Sequence, residues 1–225
     1  MGSNVTILDR EMYSEAEASR LLGLSQSTLH YWLEGGERRG KTYPPVIRER
    51  KLGVRTVKWA EFVEAALLRE YRHRNVPMIE LRTFIDTLRT KFNVPYPLAH
   101  QAPFVSGKSL IYAAQEEIGL SADFALVAVA NDQFLLTPPS HSFLERVTWA
   151  DDLAAEWRPH SDPKSPVRMS PDIRFGRPAV AGISTAAVWE QSESGADEHE
   201  IADIYGLSVS DVRWALAYEQ SQRAA

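Results

Sequence analysis

Between Tyr13 and Leu33 the chain reads YSEAEASRLLGLSQSTLHYWL, and that spacing leaves few folds open. Two short apolar-periodic stretches flank Gly23, where a tight turn accepts a residue of positive φ. Ser19 is the small residue that lets two helices cross closely. Leu22, Leu24, Leu29 and Trp32 are spaced to fill the volume beneath both helices. Ser25 sits where a hydroxyl accepts from a backbone N–H of the next first turn. The pattern predicts two helices meeting at a steep angle, a helix-turn-helix. A plain helical hairpin inside a core is the competing reading. In the first reading Gln26, Ser27, Thr28, His30 and Tyr31 lie near the exposed start of the second helix, the end that enters a major groove.

Charge supports contact with a polyanion. The chain carries a net charge of −5, yet residues 1–93 balance to +4 and residues 94–225 to −9. Between 38 and 58 stand Arg38, Arg39, Lys41, Arg48, Arg50, Lys51, Arg55 and Lys58 against Glu49 alone. Placed directly after a recognition helix, such a run predicts a wing lying on the phosphate backbone. There Lys and Arg add affinity through counterion release rather than by reading sequence. The bland alternative is a solvated face. Of this run, Arg38, Arg39, Lys41, Arg55 and Lys58 are the candidate phosphate contacts.

From Trp59 onward Phe62, Val63, Ala66, Leu67 and Tyr71 recur at helical spacing, and Asn75-Val76-Pro77 interrupts them. Leu81, Phe84, Ile85, Leu88 and Phe92 then form a second face. Two amphipathic helices with polar backs need a covering surface, and a second chain is the favoured one, since helix-turn-helix proteins bind as dimers. Residues 94–105 carry three prolines and no helical period, which predicts a linker or domain edge. Further on, SLIYAA, FALVAVA, FLLT and FLERVTW read as strands, with a hairpin turn at Asn131-Asp132-Gln133. ADDLAAEWRP reads as a short helix begun by Asp151-Asp152. Ser106-Gly107-Lys108-Ser109 ends like a phosphate-binding loop, but position 102 is Ala where that loop needs glycine.

A second copy of the helix-turn-helix spacing lies in HEIADIYGLSVSDVRWAL. Ala202 is its small residue, Gly206 follows four later, and Val212 and Ala215 take the buried positions, with Ser208 or Ser210 as the cap. Asp197, Glu198, Glu200, Asp203 and Asp211 surround it. An acidic surface repels phosphates, so this copy is expected to contact protein rather than DNA.

Composition excludes several classes. The 225 residues are 44% hydrophobic and 24% charged, the balance of a soluble globular chain. No apolar run reaches a membrane span, and MGSNVTILDRE lacks the layout of a signal peptide. With no cysteine there is neither a disulfide nor a thiolate metal site, which fits a cytoplasmic chain. The six histidines are scattered without zinc-binding spacing, and no nucleophile elbow occurs. Neither a catalytic residue nor a cofactor is expected.

Residues 13–92 resemble the MerR-type winged helix, with a wing ending in RTVKW and a second arm beginning NVPMIELR. The wing is longer and more basic than usual. Residues 167–219 are similar to a bacterial domain of unknown function with the signature GRP-x-V-x-G, here Gly176-Arg177-Pro178-Ala179-Val180-Ala181-Gly182, followed by Glu200-Ile201-Ala202 and Tyr205-Gly206-Leu207. The whole chain resembles an unusually large mycobacterial VapB-type antitoxin.

That resemblance implies a partner, a PIN-domain ribonuclease toxin of VapC type, whose carboxylates gather a metal. Arg168, Arg174 and Arg177 are then the candidates to mask that cluster, because a guanidinium stays charged and pairs with a carboxylate in bidentate fashion. The competing reading is a local turn in which Arg177 serves carbonyls or Asp172.

The expectation is an α+β chain, mainly α, in four parts. Residues 1–58 form a winged helix-turn-helix and 59–93 a helical dimerisation arm. Residues 94–166 form a small α+β module with its linker, and 167–225 a helix-turn-helix-like interaction domain. Its expected function is that of an antitoxin that neutralises the toxin and binds operator DNA as a homodimer within a larger complex. The alternative is a MerR-like transcription regulator without a toxin partner.

Overall fold

Ser14 and Ser25 start the first two helices by one device. The Ser14 hydroxyl accepts from Glu17 N at 3.1 Å and the Ser25 hydroxyl from Thr28 N at 3.2 Å, each satisfying an orphan donor of a first turn. The helices are α1 (Glu15–Leu22) and α2 (Gln26–Glu34). Between them Gly23 takes φ 60° and ψ 38°. Its N–H donates to Arg20 O, and Leu24 N–H reaches Ser19 O at 2.8 Å. These two bonds form a Schellman turn, which closes α1 and aims α2.

The structure is a computed structural model describing residues 6–38, 40–72, 78–120, 122, 125–130 and 133–224. Arg39, the Asn75–Pro77 break, Asn131-Asp132 and the side chain of Tyr71 lie outside the described residues. The chain is mixed α and β, mainly helical, with small two-stranded antiparallel sheets. It divides into two compact units, Met1–Leu144 with Trp149–Ala154, and Glu145–Thr148 with Ala155–Ala225.

In the first unit β1 (Glu11–Ser14) pairs with β4 (Thr56–Lys58), and β2 (Gly36–Arg38) pairs with β3 (Lys41–Tyr43). Helix α3 (Trp59–Arg72) follows, then α4 (Met78–Phe92). The core holds Leu22, Leu29, Trp32, Leu33, Trp59 and Phe62, all at most 2% exposed. Trp59 and Phe62 stack at 5.7 Å, and the Trp59 indole donates to Ala154 O at 2.6 Å. The expected polar back is absent over residues 59–68 of α3, all of which are buried. Glu61 and Glu64 are buried with their neighbours. Glu61 pairs with Arg48 and accepts from Lys58 N, and Glu64 accepts from Leu98 N at 3.0 Å. The chain itself covers this helix.

Residues 94–105 are also more packed than a linker. Pro97, Leu98, Ala99, Pro103 and Phe104 are buried, and Ala102–Val105 forms the short helix α5. SLIYAA is no strand but part of α6 (Lys108–Ile118). Its buried Ile111, Ala114 and Gln115 follow the three-and-four spacing of a helix, which becomes visible only when the polar QEEI tail is counted. Gly107 of the GKS segment serves packing: a Cβ there would lie 2.5 Å from the Phe92 ring. Strands β5 (Val127–Ala130) and β6 (Gln133–Leu136) pair as expected for FALVAVA and FLLT. FLERVTW divides between α7 (Pro138–Arg146) and β7 (Val147–Ala150). LAAEW is strand β8 (Leu153–Trp157), not a helix. Asp151 and Asp152 have φ of 48° and 69°. Two successive positive values make a two-residue hairpin turn, which Asp tolerates better than most residues. The Asp152 carboxylate accepts from Ala102 N at 2.6 Å and faces His100 Nδ1 at 3.1 Å.

In the second unit Trp157 bridges Met169 and Arg168 bridges Ala179. Strands β9 (Ala179–Val180) and β10 (Ile183–Ser184) form a minimal hairpin. Its turn is Ala181-Gly182, with φ of 48° and 80°, so the last glycine of the signature is a turn residue. Helices α8 (Thr185–Glu193), α9 (Glu198–Tyr205) and α10 (Val209–Arg223) enclose a core of Val167, Val180, Val188, Ile201, Val212 and Ala215. Ser208 caps α10 in a reciprocal box with Asp211.

Candidate nucleic-acid interface and partner surface

The α1–α2 corner exposes Gln26 and Ser27, with Thr28 half-exposed beside them. Ser25 Oγ reaches Thr28 Oγ1 at 2.8 Å and Ser27 Oγ at 3.1 Å, so three hydroxyls crowd the start of α2. His30 is not a free donor. Its Nδ1 lies 2.9 Å from Glu15 Oε1, and Arg55 reaches Glu15 Oε2 at 2.9 Å. Glu15 is 1% exposed while the Arg55 side chain is 70% exposed. One buried carboxylate therefore holds two of the candidate DNA contacts together. Sequence reasoning missed Glu15, because an acid in a first helical turn reads as an ordinary dipole partner.

Tyr31 sits elsewhere than its place in the motif suggests. It is buried, with its hydroxyl 3.5 Å from Arg82 and the Arg38 guanidinium 3.9 Å above its ring. A side chain so covered does not reach a base edge. The β2–β3 hairpin pairs Arg38 with Lys41 next to Gly40, and both basic side chains are exposed. Arg39 lies outside the described residues. Lys58 pairs with Asp9 at 3.1 Å.

Arg48, part of the same basic run, points the other way. It is 3% exposed. Its Nε and second terminal nitrogen bind both oxygens of Glu61 at 2.7 and 3.0 Å, and its remaining nitrogen binds Glu34. Glu34 also accepts from Leu52 N and Gly53 N, and Arg48 donates to Thr56 O at 2.7 Å. Burial alone would lower the Arg48 pKa, but the two carboxylates outweigh it and hold it above its ordinary value. This network fastens the end of α2 to α3 and to the strand that follows the hairpin. Arg82 and Arg89 extend it by donating to Pro45 O and to Val46 and Ile47 O. Burial pushes the neighbouring Glu64 carboxyl up to about 8, against the pull of Arg89 and the Leu98 N–H.

In the second unit the three candidate arginines differ. Arg168 is half-buried and donates to the carbonyls of Ser165 and Val167; burial, then Arg158, lowers its pKa. Arg174 is exposed and its Nε donates to Gly182 O at 2.8 Å. Arg177 is exposed, and its backbone N–H donates to Arg174 O at 3.1 Å. Arg174, Phe175 and Gly176 have φ of 49°, 54° and 74°. Left-handed backbone costs a residue with a side chain on the order of 1 kcal/mol, and such strain collects at functional sites. Phe175 is 83% exposed. Nothing in the periodicity marks it, although an aromatic between Arg and Gly outside any regular run is an available signal. Beside this turn a cavity of about 260 Å³ is lined by Glu156, Arg168, Ile173, Ala179 and Gly182 among others. Among the described residues no three His, Asp or Glu are placed to hold a metal ion, and no helix is long and apolar enough to cross a membrane.

Comparison with known proteins places this architecture. Protein Rv2308 of Mycobacterium tuberculosis is 33% identical over 238 residues, covering 99% of this chain and 96% of its own. The chain belongs to the Rv2308 family. A second relative from the same organism, named "Putative antitoxin VapB45", is 28% identical over 224 residues, covering 92% of this chain and 93% of its own. The crystal structure of Rv2018 from Mycobacterium tuberculosis superposes with a TM-score of 0.76 at 26% identity, over 93% of this chain and 99% of that one. Within the Rv2308-family chain, residues 167–218 match the protein family of unknown function DUF433. That segment begins at the buried Val167 and ends at Tyr218, and both belong to the core of the second unit.

Proposed function

We propose that this chain is the antitoxin of a toxin–antitoxin pair. It neutralises a PIN-domain ribonuclease of VapC type and represses its own operon by holding operator DNA. The observation that carries the reading is the likeness, over nearly the full length of both chains, to a protein named as an antitoxin. DNA contact is assigned to the α1–α2 corner as a winged helix-turn-helix. Gln26, Ser27 and Thr28 meet base edges, while Arg38, Arg39, Lys41 and Arg55 meet phosphates. His30 takes part through Glu15. Lys58, tied to Asp9, is the weakest member of the set, and the buried Tyr31 is left out of it. Two copies binding two half-sites would give the dimer, with α4 in the arm. The toxin is assigned to the Arg174–Arg177 turn, where exposed guanidiniums suit a carboxylate cluster.

The test is co-expression with a small PIN-domain nuclease encoded beside this chain, followed by RNA cleavage with and without it. A stable complex that silences cleavage is the expected result. A nuclease that neither binds nor loses activity refutes the antitoxin reading and leaves a MerR-like regulator without a toxin partner.

A further inference from the structure

We propose that Phe175 is the anchor of a docking surface for an acidic protein partner with an apolar recess. The partner is the ribonuclease of the preceding section, and the proposal rests on that reading. Phe175 is the most exposed of the large apolar side chains among the described residues, at 83% against 58% for Ile79 and Ile204. Its exposure is imposed by the backbone. Gly176 N–H donates to both Ser170 O and Ile173 O at 3.0 Å, Arg177 N–H to Arg174 O, and the Arg174 side chain to Gly182 O. With three successive left-handed residues so pinned, the ring is held outward although a cavity of about 260 Å³ opens close by. A turn whose backbone is already held loses little conformational freedom on association.

Charge selects the partner. Exposed Arg174 and Arg177 flank Phe175 in the chain, and residues 168–177 hold three arginines and one acid, Asp172. Residues 178–212 hold seven Asp and Glu and no Lys or Arg. An acidic partner is therefore attracted to the turn and repelled by the helices beyond it, which sets its orientation. Aromatic and arginine residues close together in the chain match the composition of an interface hot spot.

The test uses the full chain with the adjacent nuclease and measures affinity by titration calorimetry for wild type, Phe175→Ala, Phe175→Glu and Phe175→Trp. Phe175→Ala is expected to weaken binding about thirtyfold or more. Phe175→Glu should lose binding altogether, since it sets a carboxylate against an acidic rim. Phe175→Trp should stay within a few-fold of wild type. All four chains should keep the same melting temperature, because the ring is exposed. A wild-type chain that binds and a Phe175→Ala chain within threefold of it overturn the anchor and leave the antitoxin reading standing. Loss of binding that accompanies a lowered melting temperature, without rescue by Trp, makes the ring structural and also overturns it. If the wild-type chain does not bind the nuclease, the antitoxin reading fails and the anchor with it.

Discussion

The chain builds one helical corner twice and surrounds it differently. In the first, eight residues of α1 end at Gly23, and Leu24 and Ser25 lead into α2. In the second, eight residues of α9 end at Gly206, and Leu207 and Ser208 lead into α10. Both glycines are left-handed, at φ 60° and 65°. Leu24 N–H bonds Ser19 O at 2.8 Å, and Leu207 N–H bonds Ala202 O at 2.9 Å. Both serines accept from the backbone N–H three residues on. The surroundings then diverge. The first corner is followed by an exposed basic hairpin and is bolted by the Arg48 network. The second is opened by Asp197, which caps α9 in a reciprocal box with Glu200, and rests on an apolar core. A corner geometry thus carries no function by itself. The charges placed around it decide what it can touch.

The largest expected effect sets the bolt of the first corner against the core of the second. Arg48→Ala leaves Glu34 and Glu61 buried without their cation, which costs about 3–5 kcal/mol. Val212→Ala removes two methyl groups from the second core and costs about 2 kcal/mol. Urea midpoints measure both, and equal losses would break the contrast.

Next come opposite pH dependences. The Glu64 carboxyl is raised from 4.5 to about 8 in the fold. The folded chain therefore keeps a proton that the unfolded chain releases, so its stabilising share, on the order of a few kcal/mol, is lost as pH rises from about 4.5 through 8. Glu64→Gln should flatten that decline. At the second corner, the backbone N–H groups of Glu200 and His199 hold Asp197 below its ordinary value. Its contribution is present above the unfolded pKa and lost as pH falls through the folded one. Thermal melts from pH 2 to 9 would show both slopes, and a Glu64→Gln chain that tracks wild type throughout removes the first.

DNA affinity should separate the corners as well. Exchanging Arg38 and Lys41 for Glu is expected to lower operator affinity about a hundredfold and to reduce the salt slope by about two. Replacing Glu200 and Asp203 with Ala should leave it within threefold. Fluorescence anisotropy at several salt concentrations measures this, and an unchanged hairpin mutant overturns the N-terminal assignment. The smallest effect tests the likeness itself: Ser25→Ala and Ser208→Ala should each cost about 1 kcal/mol, since each removes the same cap.

Much of both corners was legible because their signals are local. Gly23, Ser25, Gly206 and Ser208 act on neighbours within five residues, so their order in the chain suffices. The middle was misread for the opposite reason. In SLIYAA and LAAEW short apolar runs fit either a buried helix or a strand, and length or a distant partner settles which. Asp151-Asp152 is a fair helix start by composition and becomes a turn only because β7 finds β8. Of the candidate site, Gln26, Ser27, Arg38, Lys41, Arg174 and Arg177 are exposed, as their residue types lead one to expect. Tyr31 was misplaced because a motif position does not report what lies over the ring.

Sequence by itself determined the two Gly-Leu-Ser corners, the basic excess up to Lys58 and the acidic excess after 178. Each follows from backbone preference or from net charge, and neither needs a long-range partner. Tertiary structure alone decided that Arg48 belongs to the interior while Arg38 and Lys41 face water. It also decided that His30 and Arg55 share one buried carboxylate. Those outcomes depend on which distant groups come within about 3 Å of a side chain, a property of the folded packing that no local stretch of residues specifies.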